Sequence, residues 1–134
     1  MSGDSNGVNK RNLLVIDDDQ TFRELIASGV DKDQYEVTTA ADGVQGLEQL
    51  TKGQPDLILL DIMMPRMNGV EFLEKMKDVT GGKQIPVIIT SNDSSLDTIS
   101  RGAELGVRGY IVKSSESMKT IMESIERVFS EMKR

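Results

Sequence analysis

Leu57-Ile58-Leu59-Leu60-Asp61-Ile62-Met63-Met64-Pro65-Arg66-Met67-Asn68-Gly69 is the stretch to which every other part of this chain has to be fitted. Four consecutive apolar residues, preceded by Gln54-Pro55-Asp56, read as a short strand buried on both faces. The strand ends in a carboxylate, and Pro65 and Gly69 mark the adjoining loop. An aspartate at the C-terminal tip of a buried strand puts negative charge on the rim where open α/β sheets bind their ligands. Aspartates also cap turns, and on this stretch alone the structural reading of Asp61 stands beside the functional one.

Upstream, Asn12-Leu13-Leu14-Val15-Ile16 is a first buried strand running into Asp17-Asp18-Asp19. Thr21 to Val30 places Phe22, Leu25, Ile26 and Val30 on one helical face. Tyr35-Glu36-Val37-Thr38-Thr39 alternates and is β-branched, a second strand nearer the sheet edge. Val44, Leu47 and Leu50 give a short helix ended by Gly53 and Pro55. Downstream, Asn68 with Glu71 forms a capping-box pattern, and Phe72, Leu73 and Met76 supply that helix's apolar side before Gly81-Gly82 ends it. Pro86-Val87-Ile88-Ile89 is a fourth strand closing on Thr90-Ser91. Leu96, Ile99 and Ala103 mark a polar, loosely packed fourth helix. Val107 to Val112 is the fifth strand, stopping at Lys113. The last helix carries Met118, Ile121, Met122, Ile125, Val128 and Phe129, then frays over Glu131 to Arg134. Met1 to Asn9 is polar and glycine-rich, so residues 1–10 read as a mobile tail and 11–134 as one domain.

Five strands alternating with five helices imply right-handed parallel crossovers and a sheet covered on both faces. Because Tyr35–Thr39 is the more polar strand, the expected architecture is α/β, flavodoxin-like (βα)5, with strand order 2-1-3-4-5. The first and fifth helices then cover one face, and the second, third and fourth the other.

The length of 134 residues suits one domain with a proper core. With no cysteine, disulfides, thiolate catalysis and cysteine zinc sites are excluded; with no histidine, so are imidazole acid–base chemistry and a phosphohistidine carried by this chain. Sixteen basic against 22 acidic residues leave a net charge of −6, which argues against binding nucleic acid or an anionic membrane. No apolar stretch reaches membrane-span length and no signal-peptide core opens the sequence, so a cytoplasmic protein is expected. The eight methionines read as core filler and flexible surface.

The chemistry lies in the residues just beyond each apolar strand: Asp17, Asp18 and Asp19, then Asp61, then Thr90 and Ser91, then Lys113. In a parallel sheet these ends share one rim, and the first and third strands flank the point where the winding reverses. Three carboxylates so close repel one another by roughly several kcal/mol in a partly dry cleft. Lys113 offers one compensating charge, and Mg2+ suits the remainder because it takes one or two carboxylates and keeps its waters. The bland counterpart is a surface acidic cluster of turn-forming aspartates, against which stands the convergence of four strand ends. Such a site suits phosphoryl transfer: an aspartate takes the phosphoryl group as an acyl phosphate, while Lys113 and Thr90 hold its oxygens. Lacking histidine, the chain needs a phosphoryl donor in another molecule.

These residues resemble a response-regulator receiver domain, the CheY-like family of two-component signalling, over Asn12 to about Met132. The likeness rests on Asp17-Asp18, the Asp61–Gly69 loop, Thr90 followed by small Ser91, Tyr110 and Lys113. The resemblance implies that Asp61 is the phosphoacceptor, and that Asp18, Asp61 and the backbone carbonyl of Met63 ligate magnesium, with Asp17 acting through a bound water. It implies that Thr90 and Lys113 grip the phosphoryl group, that Tyr110 turns inward as Thr90 moves, and that Met63 and Asn92 tune phosphate lifetime. A strand tyrosine is also ordinary packing, which is the plainer account of Tyr110. The implied partners are a sensor histidine kinase or phosphotransfer protein and a downstream effector; the implied protein is a phosphoacceptor that assists its own chemistry and no ordinary enzyme. The implied readout is a change of the face from Leu96 to Phe129, the fourth helix, fifth strand and fifth helix. With no output domain before Arg134, that face would be read by a separate partner or the phosphate relayed, unless an effector lies beyond. One position departs from the family pattern: Ser114 stands where proline usually comes after the lysine. A cis bond before a non-proline residue costs about 2.5–4 kcal/mol, so a trans Lys113–Ser114 bond is expected.

Two rivals remain. Asp17-Asp18-Asp19-Gln20-Thr21 matches the Asp-x-Asp-x-Thr signature of haloacid-dehalogenase-type phosphatases, with Asp17 as nucleophile and Asp19 as general acid. Against it, no acidic pair comes after Lys113, there is no room for a cap domain, and the Asp61 loop goes unexplained. The second rival is a phosphate-independent, receiver-shaped interaction module.

Overall fold

The computed structural model describes residues 10–64, 67–80, 84–92 and 96–132, with the backbone alone at 96–99. Expectations for the Met1–Asn9 tail, Pro65, Gly81-Gly82, the Leu96 and Ile99 side chains and Lys133-Arg134 lie outside the described residues. The elements run β1 (Arg11–Ile16), α1 (Gln20–Gly29), β2 (Tyr35–Ala40), α2 (Gly43–Lys52), β3 (Leu57–Asp61), α3 (Gly69–Val79), β4 (Val87–Ser91), α4 (Leu96–Glu104), β5 (Gly109–Val112) and α5 (Met118–Met132). All strand pairs are parallel, in the order β2-β1-β3-β4-β5, as the sequence led us to expect. Among the described residues no helix is long and apolar enough to cross a membrane.

The pleat divides the core in two. Leu13, Val15, Leu57, Leu59, Ile88 and Ile111 face α1 and α5, packing on Phe22, Ile26, Ile121, Ile125 and Val128. Leu14, Ile16, Ile58, Leu60 and Val87 face the other way, onto Leu50 of α2 and Phe72, Leu73 and Met76 of α3. Every residue of β3 and of β4 is buried, which is why those stretches are apolar without alternation. Asn68 and Glu71 form the anticipated capping box: each side chain accepts from the other's backbone N–H.

Several side chains face differently from their helical periodicity. Leu25 is 42% and Val44 51% exposed, and Ala103 is also exposed. Glycine explains two of the three. On α2 the inward position is Gly46, where a Cβ would lie 2.6 Å from Ile16 Cδ1 and 3.0 Å from Phe72 Cε1. On α4 it is Gly102, where a Cβ would lie 2.7 Å from Ile89 Cδ1. These helices seat on the sheet through residues that carry no hydrophobic signal. On α1 the buried side chains are Phe22 and Ile26, leaving Leu25 on the outer shoulder.

The fifth strand is also shorter than expected, beginning at Gly109 rather than Val107. Val107 belongs to the end of α4: its N–H bonds Gly102 O and that of Gly106 bonds Ala103 O. This is a Schellman cap with Gly106 left-handed at φ 84°. At the other end, α5 is helical through Met132, where fraying was expected from Glu131.

Candidate functional site

The alternation that buries Leu13 and Val15 carries Asp17 to the same side beyond the end of β1, and likewise Asp61 after Leu57 and Leu59. Thr90 comes two residues after Ile88 and pairs in register with Asp61 and with Ile111, two residues before Lys113. Four strand ends therefore deliver Asp17, Asp61, Thr90 and Lys113 to one rim, on the α1/α5 side. Asp17 is fully buried, Asp61 and Thr90 nearly so, and Asp18 is exposed.

Lys113 Nζ lies 3.0 Å from Asp17 Oδ2, 3.3 Å from Asp17 Oδ1 and 3.7 Å from Asp61 Oδ2. Asp61 Oδ1 accepts from Met63 N–H at 3.0 Å, and Asp17 Oδ1 from Asp19 N–H at 2.9 Å. Carboxylate oxygens of Asp17, Asp18 and Asp61 all lie within 4.8 Å of one another. That is a hard oxygen donor set, one member of it open to water, which fits a hard divalent cation of the magnesium type. The Thr90 hydroxyl is buried with no hydrogen-bond partner, an uncommon state for a polar atom and one that a bound oxyanion would relieve.

Electrostatics point the same way. Burial, with the negative charge of Asp17, pushes the Asp61 acid up to about 7, against the pull of Met63 N–H and Lys113. Burial would lower Lys113, but its bond and charge contact with Asp17, then Asp61 and Asp19, raise it overall, so it stays an ammonium. The site thus holds one acid whose charge is poorly supported until more positive charge arrives.

The expected residues all meet here except Tyr110. It is half-buried on β5 opposite Ile89, one register step from the Thr90–Ile111 pair. The Met63 side chain is 66% exposed and lines a separate surface hollow with Ile62, Asn68, Val70, Ser100, Arg101 and Glu104, while its backbone N–H is what reaches Asp61. The Lys113–Ser114 bond is trans, as expected, and no described peptide bond is cis. Lys113–Ser115 form one short 3-10 turn, and the Glu116 carboxylate closes it by accepting from Val112 N–H at 3.2 Å. Asp19, the rival's general acid, instead caps α1, with Oδ1 accepting from Thr21 N–H at 3.0 Å and Phe22 N–H at 3.4 Å.

Sequence reasoning missed two contributors. Arg23 Nη1 donates to Asp17 O at 2.6 Å and pins the acidic loop. The Phe22 ring, read as core alone, also stands beside Lys113. The Asp19 cap was the available signal, since it fixes which side chains open α1. A separate cavity of about 520 Å³ lies at the opposite rim, lined by Leu73, Met76, Ile85, Leu105 and Val107 among others, and includes none of these residues.

Residues 13–126 match the family model described as the response regulator receiver domain. The chain is 38% identical over 101 residues to sporulation initiation phosphotransferase F of Bacillus subtilis, covering 75% of this chain and 80% of that protein. It is 34% identical over 115 residues to the regulator of RpoS of Escherichia coli, covering 86% of this chain but 34% of that protein. The chain thus spans about a third of the length of that relative. Among solved structures, chemotaxis protein CheY4 of Vibrio cholerae superposes with a TM-score of 0.82 at 28% identity, over 90% of this chain and 99% of that one. With its parallel five-stranded sheet, its acidic rim and this likeness, the chain belongs to the response regulator receiver domains, the phosphoacceptors of two-component signalling.

Proposed function

We propose that residues 11–134 form a magnesium-dependent receiver in the cytoplasm that takes a phosphoryl group on Asp61 from a phosphohistidine of a sensor kinase or phosphotransfer protein. One observation carries this reading: Lys113 bridges Asp17 at 3.0 Å and Asp61 at 3.7 Å, beside the unpartnered hydroxyl of Thr90. Asp18, Asp61 and the Met63 carbonyl would hold the cation, with Asp17 acting through water. When bound, it supplies positive charge next to the phosphoryl oxygens. The Asp61 carboxylate attacks phosphorus, the P–O bond forms as the P–N bond to imidazole breaks, and the imidazole leaves to the donor protein. Lys113 moves from its carboxylate partners to a phosphoryl oxygen, and the Thr90 hydroxyl donates to another.

Thr90 and Tyr110 sit on adjacent register pairs of β4 and β5, which supports a switch in which a shift of Thr90 frees space for the ring. The α4–β5–α5 face would then alter its affinity for a downstream effector. Incubation with acetyl phosphate and Mg2+, then mapping of the labelled aspartate, tests the assignment: label on Asp61 is expected, and label on Asp17 indicates the phosphatase chemistry. An amide spectrum unmoved by Mg2+ and beryllofluoride favours the phosphate-independent module.

A further inference from the structure

We propose that Phe22 is a positioning residue for Lys113: its ring face is a neutral wall that keeps the ammonium over the site while the acids around it change partners. The inference rests on the reading that Lys113 grips a phosphoryl group on Asp61. Lys113 Nζ lies 5.0 Å from the centroid of the Phe22 ring, inside the ~6 Å reach of cation–π attraction. The lysine side chain is only 9% exposed, so the contact acts with water largely excluded, where such attraction is strongest.

The charged groups within 4 Å of it are Asp17 and Asp61, with Asp19 acting from further off, and the two near ones alter in function. Asp17 would meet the cation through water, and Asp61 would ligate it and become an acyl phosphate. The ring does neither. Carrying no proton and no ligand atom, it attracts the ammonium equally before and after transfer, and so limits the directions in which a released lysine can swing. The ring is itself fixed. Asp19 caps α1 and accepts from Phe22 N–H at 3.4 Å, and the side chain is 6% exposed in the core shared by β1, β5 and α5. The third acid of the loop thus sets the helix turn that presents the ring. For core packing alone, leucine or methionine would serve at this position; the aromatic ring adds a π face to the ammonium.

Phe22→Leu removes the face and keeps an apolar side chain, whereas Phe22→Tyr keeps the face. In the unphosphorylated protein, the ε-methylene resonances of Lys113 are read by NMR for the upfield shift that a ring current imposes. With Mg2+ and acetyl phosphate, the rate of labelling is read as well. Phe22→Leu is expected to lose the upfield shift and to label about two- to fivefold more slowly, with Phe22→Tyr retaining both properties. Phe22→Met gives the same readings if the leucine variant fails to fold. A methylene resonance unmoved in Phe22→Leu overturns the proposal whatever the rate, as does a Phe22→Tyr protein that behaves like the leucine variant. A wild-type protein that takes no label defeats the underlying reading of Asp61, and this is told apart because the methylene shift is measured without phosphate.

Discussion

The two faces of the sheet end differently at the same rim. On the α1/α5 side the strands run from apolar residues into Asp17, Asp61, Thr90 and Lys113. On the α2/α3/α4 side the next positions after β3, β4 and β5 are Ile62, Ser91 and Val112, all uncharged, and only β1 ends in a charge there, the exposed Asp18. Yet Tyr110, opposite Ile89, belongs to this second side. Chemistry is gathered on one face and the proposed relay residue, Tyr110, stands on the other, separated by the thickness of a strand. A single residue step along β4, from Thr90 to Ile89, connects them.

The largest effect that would break this division is at the proposed acceptor. Asp61→Asn should abolish labelling by acetyl phosphate; labelling that persists on Asp17 or Asp18 would move the chemistry off β3. Next comes Lys113→Met, expected to slow labelling about 100-fold by removing one preorganised charge from the phosphoryl oxygens. It also leaves Asp17 buried without its counter-charge, so denaturant melts in metal-free buffer should show a loss of about 3 kcal/mol that Mg2+ partly restores.

The raised Asp61 acid gives a pH signature. A carboxyl held above its ordinary value of 3.8 favours the folded state while protonated and loses that contribution as pH climbs through about 7. Metal-free protein should therefore lose melting temperature between about pH 4 and pH 7, measured by calorimetry, and Asp61→Asn should flatten that part of the profile. Mg2+ affinity should rise over the same interval, since the cation competes with a proton.

Across the sheet, Tyr110→Ala should leave labelling within about twofold while uncoupling the amide shifts of α4 from beryllofluoride. Equal α4 shifts in the variant would remove Tyr110 from the route. The smallest effect belongs to packing on the second face. Gly46→Ala should cost about 1 kcal/mol in urea unfolding, because overpacking against Ile16 and Phe72 outweighs the gain in helix propensity.

The sequence made the central strands plain because burial on both faces erases alternation and leaves Leu57–Leu60 and Val87–Ile89 as apolar runs. The order of the sheet came from the more polar Tyr35–Thr39 strand, its covered faces from the handedness of crossovers, and the rim from the order. The closest packing was hidden. Gly46 and Gly102 press α2 and α4 onto the sheet, and a residue without a side chain adds nothing to an apolar period, so Val44 and Ala103 stood in for them in the periodicity. Val107 was misassigned for a related reason: the Gly106 cap turns it back onto α4, and residue type alone does not reveal a left-handed backbone. Phe22 was legible as core but not as a neighbour of Lys113, because that contact joins two ends of the chain.

The Asp17–Lys113 pair spans 96 positions of sequence. During synthesis the acids of β1 and β3 emerge well before Lys113, the base that bridges their carboxylates. Any partly assembled sheet lacking β5 must therefore crowd negative charge at its own edge, and is disfavoured there. The arrangement that readies the domain for its chemistry thereby also rewards completion: docking of the last strand relieves the repulsion, so an unfinished molecule is a poor acceptor and an unstable one together.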